Sequence, residues 1–173
     1  QVSYWNNSTT LFSHAVEATQ NNHVAHCNLA KDLRNHGKTA LAIEHFKKAF
    51  QIAPNYPDTV NGLGCALYDQ GDLNEAIEYF QKAIQVKPDT PYARNNLGFA
   101  LQKQGKLNEA VAYFTQAVQI KPDFAEARYN LANALVLQGR FDEALDQFHA
   151  AVRLKPDWPE PMGNLAFLIA THP

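Results

Sequence analysis

The chain has 173 residues, of which 46% are hydrophobic, and this is enough apolar material to bury the core of one ordinary domain. Its 15 basic and 17 acidic residues give a formal net charge of -2, so no overall positive field attracts nucleic acid or an anionic membrane surface. The two cysteines, Cys27 and Cys65, form no CxxC pair, and we expect free, packed thiols.

The first predicted element covers residues 5–18, which have the phase of the second helix of a helical pair without a first helix before it. We therefore assign residues 1–22 as an N-terminal half repeat. No apolar run is long enough to span a membrane, and the residues after Gln1 lack the basic and apolar regions of a signal peptide. We expect an excised fragment without direct membrane contact.

The following elements repeat one pattern of 34 residues. Glycine, proline and phenylalanine each recur at this spacing, at Gly37, Gly71, Gly105 and Gly139, at Pro54, Pro88, Pro122 and Pro156, and at Phe46, Phe80, Phe114 and Phe148. The predicted repeats are residues 23–56, 57–90, 91–124 and 125–158. Residues 159–173 then form the first helix of a further, truncated repeat.

Each repeat is predicted to contain two helices, A and B, which divide at its glycine. Helix A ends near this residue because glycine readily adopts the left-handed conformation that terminates helices. Helix B begins at a cap such as Asp72, with Glu75 three residues later in the pattern of a capping box. Pro57, Pro91 and Pro159 fit the first turn of the next helix A, where a missing N–H costs no helical hydrogen bond.

This pattern resembles the tetratricopeptide repeat family, whose small-residue, aromatic and proline positions match in register over nearly the whole chain. The resemblance implies an all-α fold in which residues 1–173 form a single domain with four full repeats and a half repeat at each end. It also implies a right-handed superhelix whose concave groove is lined mainly by the A helices. Neighbouring repeats must stack because one repeat cannot bury its apolar face alone. We expect the groove to bind a protein or peptide.

Asparagine precedes leucine at the same position of four A helices. At about 100° per residue, Asn96 points away from the stripe of Leu97 and Leu101. The candidate groove residues are Asn28, Asn96, Asn130 and Asn164, Asn61 as the substitute beside Gly62, and Tyr92, Asn95, Phe99, Lys103, Tyr129, Asn133 and Phe167. Such amides can hydrogen-bond the main chain of an extended peptide, in a ladder similar to that in the repeats of O-linked N-acetylglucosamine transferase. Alternatively, they bond to a neighbouring helix as structural pins.

No motif predicts catalysis, a cofactor or a metal site. The sequence contains neither G-x-S-x-G nor a glycine-rich phosphate loop. His23 and His26 are three residues apart, but no carboxylate or cysteine completes a metal shell at ligand spacing, and we expect solvated histidines. A free-standing enzyme would need a pocket of which the sequence gives no sign.

The two end segments resemble polytopic membrane glycosyltransferase-like proteins with C-terminal tetratricopeptide repeats. The matching residues are Tyr4-Trp5, Ser8, Leu11-Phe12, His14-Ala15, the junction from Asn22 to Asn28, and the closing NLAFLIATHP, residues 164–173. The resemblance implies a non-enzymatic module that recruits substrate for the catalytic part of a larger membrane protein. It also implies a location on the extracytoplasmic side of the membrane, with a cytoplasmic location as the alternative.

The ends of the repeat array also predict an alternative function. Apolar residues there lack the helix that would cover them, namely Met162, Leu165, Ala166 and Ile169 at one end and Leu11, Phe12 and Val16 at the other. Uncapped repeat ends tend to stack on one another. The alternative function is therefore a structural scaffold that assembles complexes or self-associates through its ends.

Overall fold

The computed structural model describes residues 8–19 and 21–171, and its regular elements in these ranges are all helices. The helices are α1 (Ser8–Ala18), α2 (His23–Asn35), α3 (Thr39–Ile52), α4 (Pro57–Gln70), α5 (Leu73–Val86), α6 (Pro91–Lys103), α7 (Leu107–Ile120), α8 (Ala125–Leu137), α9 (Phe141–Leu154) and α10 (Pro159–Thr171). The predicted all-α fold is therefore confirmed. Within the described ranges, no helix combines the length and apolar character needed to cross a bilayer. Tyr4, Trp5 and the last two residues of the closing segment lie outside the described residues.

The helices form two compact units, Gln1–Pro88 and Asp89–Pro173. In the first unit, α2 pairs with α3 and α4 pairs with α5, while α1 packs on α2 and α3 packs on α4. In the second unit, α6 pairs with α7 and α8 pairs with α9, while α7 packs on α8 and α9 packs on α10. The A helices α2 and α4 are also in contact, as are α6 and α8, so the A helices of each unit share a face.

Glycine and proline define the helix ends as predicted. Gly71 caps α4 with a φ of 100°, and its N–H donates to the carbonyl oxygens of Leu67 and Tyr68. A residue with a Cβ is disfavoured at this φ, so glycine ends the helix at little steric cost. Pro57 and Pro91 are the first residues of α4 and α6.

The capping box predicted at Asp72 and Glu75 is wrong. Asp72 precedes α5, but its side chain makes no capping hydrogen bond. With φ -80° and ψ 67°, Asp72 is the central residue of an inverse γ-turn in which the N–H of Leu73 donates to the carbonyl oxygen of Gly71 at 2.9 Å. This turn holds the backbone away from the extended conformation that is usual for a capping residue. By contrast, Asn22 caps α2 by accepting from the Ala25 N–H at 2.9 Å.

Phenylalanine and alanine at the repeated positions form the core. The four phenylalanines of the B helices are at most 2% exposed, and each contributes roughly 1.5–3 kcal/mol through its burial: Phe46, Phe80, Phe114 and Phe148. Small residues allow the helices of a pair to approach each other closely. At Gly98 of α6, a Cβ would lie only 2.8 Å from Cε1 of Phe114 in α7. The α4–α5 pair has the same arrangement, with Gly64 against Phe80, so both pairs pack an aromatic ring against a small residue.

Candidate functional site

Asparagine side chains connect the A helices of the second unit. Asn130 of α8 donates through Nδ2 to Oδ1 of Asn95 in α6 at 3.0 Å. Asn164 of α10 donates through Nδ2 to Oδ1 of Asn133 at 3.0 Å and to the Tyr129 hydroxyl at 3.3 Å. The same repeat position therefore makes an interhelical contact in both α8 and α10. Asn95 is only 9% exposed, whereas the other four side chains are half-buried.

Aromatic side chains lie exposed on the same A helices. The exposed fraction is 51% for Tyr92, 45% for Phe99 and 68% for Phe167. Phe99, Asn133 and Phe167 occupy one repeat position, and Lys103 is exposed at the end of α6. We call the surface formed by Tyr92, Asn96, Phe99, Lys103, Tyr129, Asn130, Asn133, Asn164 and Phe167 the amide–aromatic face. It combines hydrogen-bonding groups with exposed rings.

Lysines that follow the B helices border this face, although they are not among the predicted site residues. Lys121 donates to the Tyr92 hydroxyl at 2.8 Å, and this hydrogen bond raises the pKa of Lys121. Its ammonium lies 5.0 Å from the centre of the Tyr92 ring. Lys155 forms an ion pair with Glu126 and lies over the ring of Trp158. The signal was present in the sequence, because both lysines open a KPD triplet at the repeat period.

The first unit has a different A-helix face. Its predicted site residues, Asn28 and Asn61, are half-buried. Two ion pairs join α2 to α4: Lys31 Nζ lies 2.8 Å from Asp58 Oδ2, and Arg34 Nε lies 2.6 Å from Asp69 Oδ2. The A-helix face of the first unit therefore presents paired charges.

The asparagine series is interrupted at Gly62, where an aromatic ring occupies the space beside the glycine. A Cβ at Gly62 would lie 2.5 Å from Cε1 of Phe46, which is fully buried in α3. A side chain at this position would require the Phe46 ring to shift. The neighbouring Asn61, predicted as its substitute, lies one residue earlier on α4 and is half-buried.

The histidines do not form the arrangement considered from the sequence. His23 packs edge-on against the Tyr56 ring, whereas His26 faces His45 of α3 with 3.0 Å between their Nδ1 atoms. Burial lowers the pKa of both His26 and His45, and the charge of Lys48 acts in the same direction. Across residues 8–19 and 21–171, no three metal-ligating side chains are close enough to hold an ion.

Helix pairs that stack and share an A-helix face are the fold of a helical-repeat protein. Family models described as tetratricopeptide repeat match residues 23–56 and 101–163, and a further model described as TPR repeat matches residues 64–105. The chain therefore belongs to the tetratricopeptide repeat family. Proteins built from this repeat generally mediate protein–protein interactions, and the repeat itself is typically not enzymatic.

Solved structures show the same fold. TTC0263, a thermophilic tetratricopeptide repeat protein in Thermus thermophilus, is 25% identical with a TM-score of 0.79, over 94% of this chain and 89% of that chain. YrrB, a repeat protein with an unusual peptide-binding site, is 24% identical with a TM-score of 0.72, over 92% of this chain and 82% of that one. The Cut9–Hcn1 hetero-tetramer of APC/C gives 20% identity and a TM-score of 0.83, over 91% of this chain and 32% of that one. No curated protein matches the chain.

Proposed function

We propose that this chain binds an extended polypeptide segment on the amide–aromatic face of its second unit. The observation that carries the proposal is the pair of interhelical amide contacts, from Asn130 to Asn95 and from Asn164 to Asn133. An amide has two donor hydrogens and two acceptor lone pairs, so each contact uses only part of the capacity of either group. The contacts fix the orientation of the amides, and the Oδ1 atoms of Asn130 and Asn164 can accept main-chain N–H groups of a peptide. Under this proposal the asparagines are both pins and ligand contacts.

The exposed rings supply the apolar part of the binding surface. Phe99 and Phe167 stand at one repeat position with Asn133 at the intermediate one, and Tyr92 is exposed at the start of α6. Exposed rings beside polar groups are typical of surfaces that bind other proteins. A peptide held through its main chain can place apolar side chains against these rings without a strict sequence requirement.

Binding of an unbiased peptide array tests the proposal. The wild-type chain is compared with a variant in which Asn96, Asn130 and Asn164 are changed to alanine, after circular dichroism shows that both fold. Losing two or three hydrogen bonds of about 1 kcal/mol each should weaken binding by tenfold or more. Asn108→Ala is the matched control, because Asn108 in α7 accepts from Gln138 at 2.8 Å and lies outside the amide–aromatic face. If the wild type and the triple variant bind the peptides equally, the asparagines have only a structural role and do not contact the ligand.

A scaffold that self-associates through α10 is a second candidate function. Met162 and Ile169 lie on one side of this helix and are 48% and 49% exposed, while Leu168 is buried. An exposed apolar stripe of this kind is typical of an assembly surface. Sedimentation velocity of the wild-type chain and of Ile169→Glu tests this candidate. An assembly that persists unchanged in the variant would exclude α10 as its interface.

We also propose, from the resemblance of the end segments, that the bound polypeptide is presented to a glycosyltransferase within a larger membrane protein on its extracytoplasmic side. The test uses the full-length parent protein in membranes and an acceptor peptide selected for binding to this chain. Glycosylation of this peptide should show a higher KM when Asn130 and Asn164 are changed to alanine, with kcat little changed. An unchanged KM, or no transfer at all, would contradict the recruiting role.

A further inference from the structure

Tyr129 of α8 is the only residue with a hydroxyl group at its repeat position. The equivalent residues of the other A helices are Cys27, Asn61, Asn95 and Gly163. Asn95 of α6 is only 9% exposed, whereas Tyr129 is half-buried and therefore more accessible to a ligand. The fourth repeat thus adds a phenol to the amides of the amide–aromatic face, between α8 and α10.

Two aromatic rings hold the side chain of Tyr129 in place. The centre of the Tyr129 ring lies 4.9 Å from that of Trp158 and 6.0 Å from that of Phe148, which is buried in α9. Ring contacts at these separations are favourable. Because the ring is packed before a ligand arrives, positioning its hydroxyl costs little further conformational entropy on binding.

The hydroxyl of Tyr129 serves inside the protein as an acceptor. Asn164 of α10 donates through Nδ2 to this oxygen at 3.3 Å and to Oδ1 of Asn133 at 3.0 Å, so both hydrogens of its amide are engaged. Within residues 8–19 and 21–171, the hydroxyl hydrogen of Tyr129 has no acceptor and Oδ1 of Asn164 has no donor. One donor and one acceptor therefore remain side by side for a ligand.

This donor and acceptor match the main chain of one extended residue. In an antiparallel pair of strands, a residue forms hydrogen bonds to its partner through both its N–H and its C=O, which point to the same side. Oδ1 of Asn164 can accept from such an N–H while the Tyr129 hydroxyl donates to the carbonyl oxygen. The two groups are held close together, because Oδ1 shares a carbon with the Nδ2 that binds the hydroxyl.

We propose that Tyr129 and Asn164 form a main-chain clamp, which holds the C=O and the N–H of one residue of the bound polypeptide. The clamp rests on the proposed function and adds the point at which the polypeptide is held. Proline has no N–H, so the clamped position excludes proline. The clamp contacts only main-chain groups, so it does not select among the other residue types.

A nuclear magnetic resonance titration of the full chain tests the clamp. The probe is an acetylated and amidated peptide that alternates serine and leucine, and the affinity is measured from the amide signals of α8 and α10. Tyr129→Phe keeps the ring and should weaken binding about fivefold, the effect of losing one ordinary hydrogen bond. Tyr113→Phe is the matched control, because Tyr113 lies in the B helix α7, and it should leave the affinity unchanged. Equal affinity of the wild type and Tyr129→Phe would overturn the clamp.

Altered peptides separate a direct contact from an indirect effect of Tyr129 on Asn164. Sulfur, a weaker acceptor, replaces one carbonyl oxygen of the probe at a time. At one position this change should weaken binding to the wild type but not to Tyr129→Phe, and equal effects on both proteins at every position would overturn the clamp. If the Asn130→Ala and Asn164→Ala variant loses binding while Tyr129→Phe retains it, the clamp is wrong and the proposed function stands. No binding to the wild type at about 1 mM probe would contradict both.

Discussion

Alanine at Gly98 should destabilise the second unit, although alanine is the better helix former. A Cβ at this position would lie 2.8 Å from Cε1 of Phe114, 2.9 Å from Cδ1 of the same ring and 3.2 Å from the carbonyl oxygen of Ala110. The backbone oxygen belongs to α7 and cannot rotate away as a side chain can. Helix propensity favours the substitution by about 1 kcal/mol, whereas overpacking costs about 1–3 kcal/mol. We expect a net loss of up to about 2 kcal/mol.

Gly163→Ala provides the matched control. Gly163 lies in α10, where an added Cβ would meet nothing within 4 Å, so this substitution should stabilise the chain by up to about 1 kcal/mol. Urea denaturation followed by circular dichroism measures both variants, and the difference between them isolates the overpacking cost. Gly98→Ala should destabilise a chain that already carries Phe114→Leu by less than it destabilises the wild type, and a double-mutant cycle measures this difference. Equal stabilisation by the two alanines would refute the close packing of α6 on Phe114.

Three further predictions concern titration, reactivity and charge in the first unit. Burial lowers the pKa of His26 and His45 from 6.5, so the unfolded chain binds protons more readily. The free energy of unfolding should therefore decrease as the pH falls below 6.5, and His45→Asn should weaken this dependence in denaturation curves at pH 7.5 and 5. Burial raises the pKa of Cys65 from 9.0 to about 11, so iodoacetamide at pH 8 should modify it about 100-fold more slowly in the native than in the unfolded chain. Mass spectrometry measures the two modification rates, and similar rates in the native and unfolded chain would contradict this prediction. Lys31 and Asp58 are 45% and 61% exposed, so Asp58→Asn should change the free energy of unfolding by less than about 1 kcal/mol in urea.

The sequence predicted the helices and their core because both depend on local spacing. A period of 34 residues places Phe80 and Phe114 at one position of their B helices, and both are buried. Gly71 ends its helix at a positive φ, which the sequence indicates through the choice of glycine. These features follow from one helix pair and do not require knowledge of its neighbours.

Contacts between helices were not predictable in the same way. The helical periodicity places Asn130 on one side of α8, but it does not show that Asn95 of α6 lies opposite. The contact between His26 and His45 likewise depends on how α2 and α3 pair. The equivalent residues of a later repeat, Arg128 and Gln147, also form a hydrogen bond. Both pairs are separated by 19 residues in the sequence. The contact in one repeat therefore predicts the contact at the equivalent positions of another.

The two units differ in how costly ligand binding would be on their A helices. In the first unit, a main-chain ligand would have to compete with the ion pairs of Lys31 with Asp58 and of Arg34 with Asp69. Separating such pairs leaves charges to be solvated or matched by the ligand, which a neutral peptide backbone does poorly. In the second unit, Asn130 and Asn164 keep hydrogen-bonding capacity after joining their neighbours, so a peptide adds contacts without breaking existing ones. A ligand recognised through its main chain should therefore bind the second unit in preference to the first.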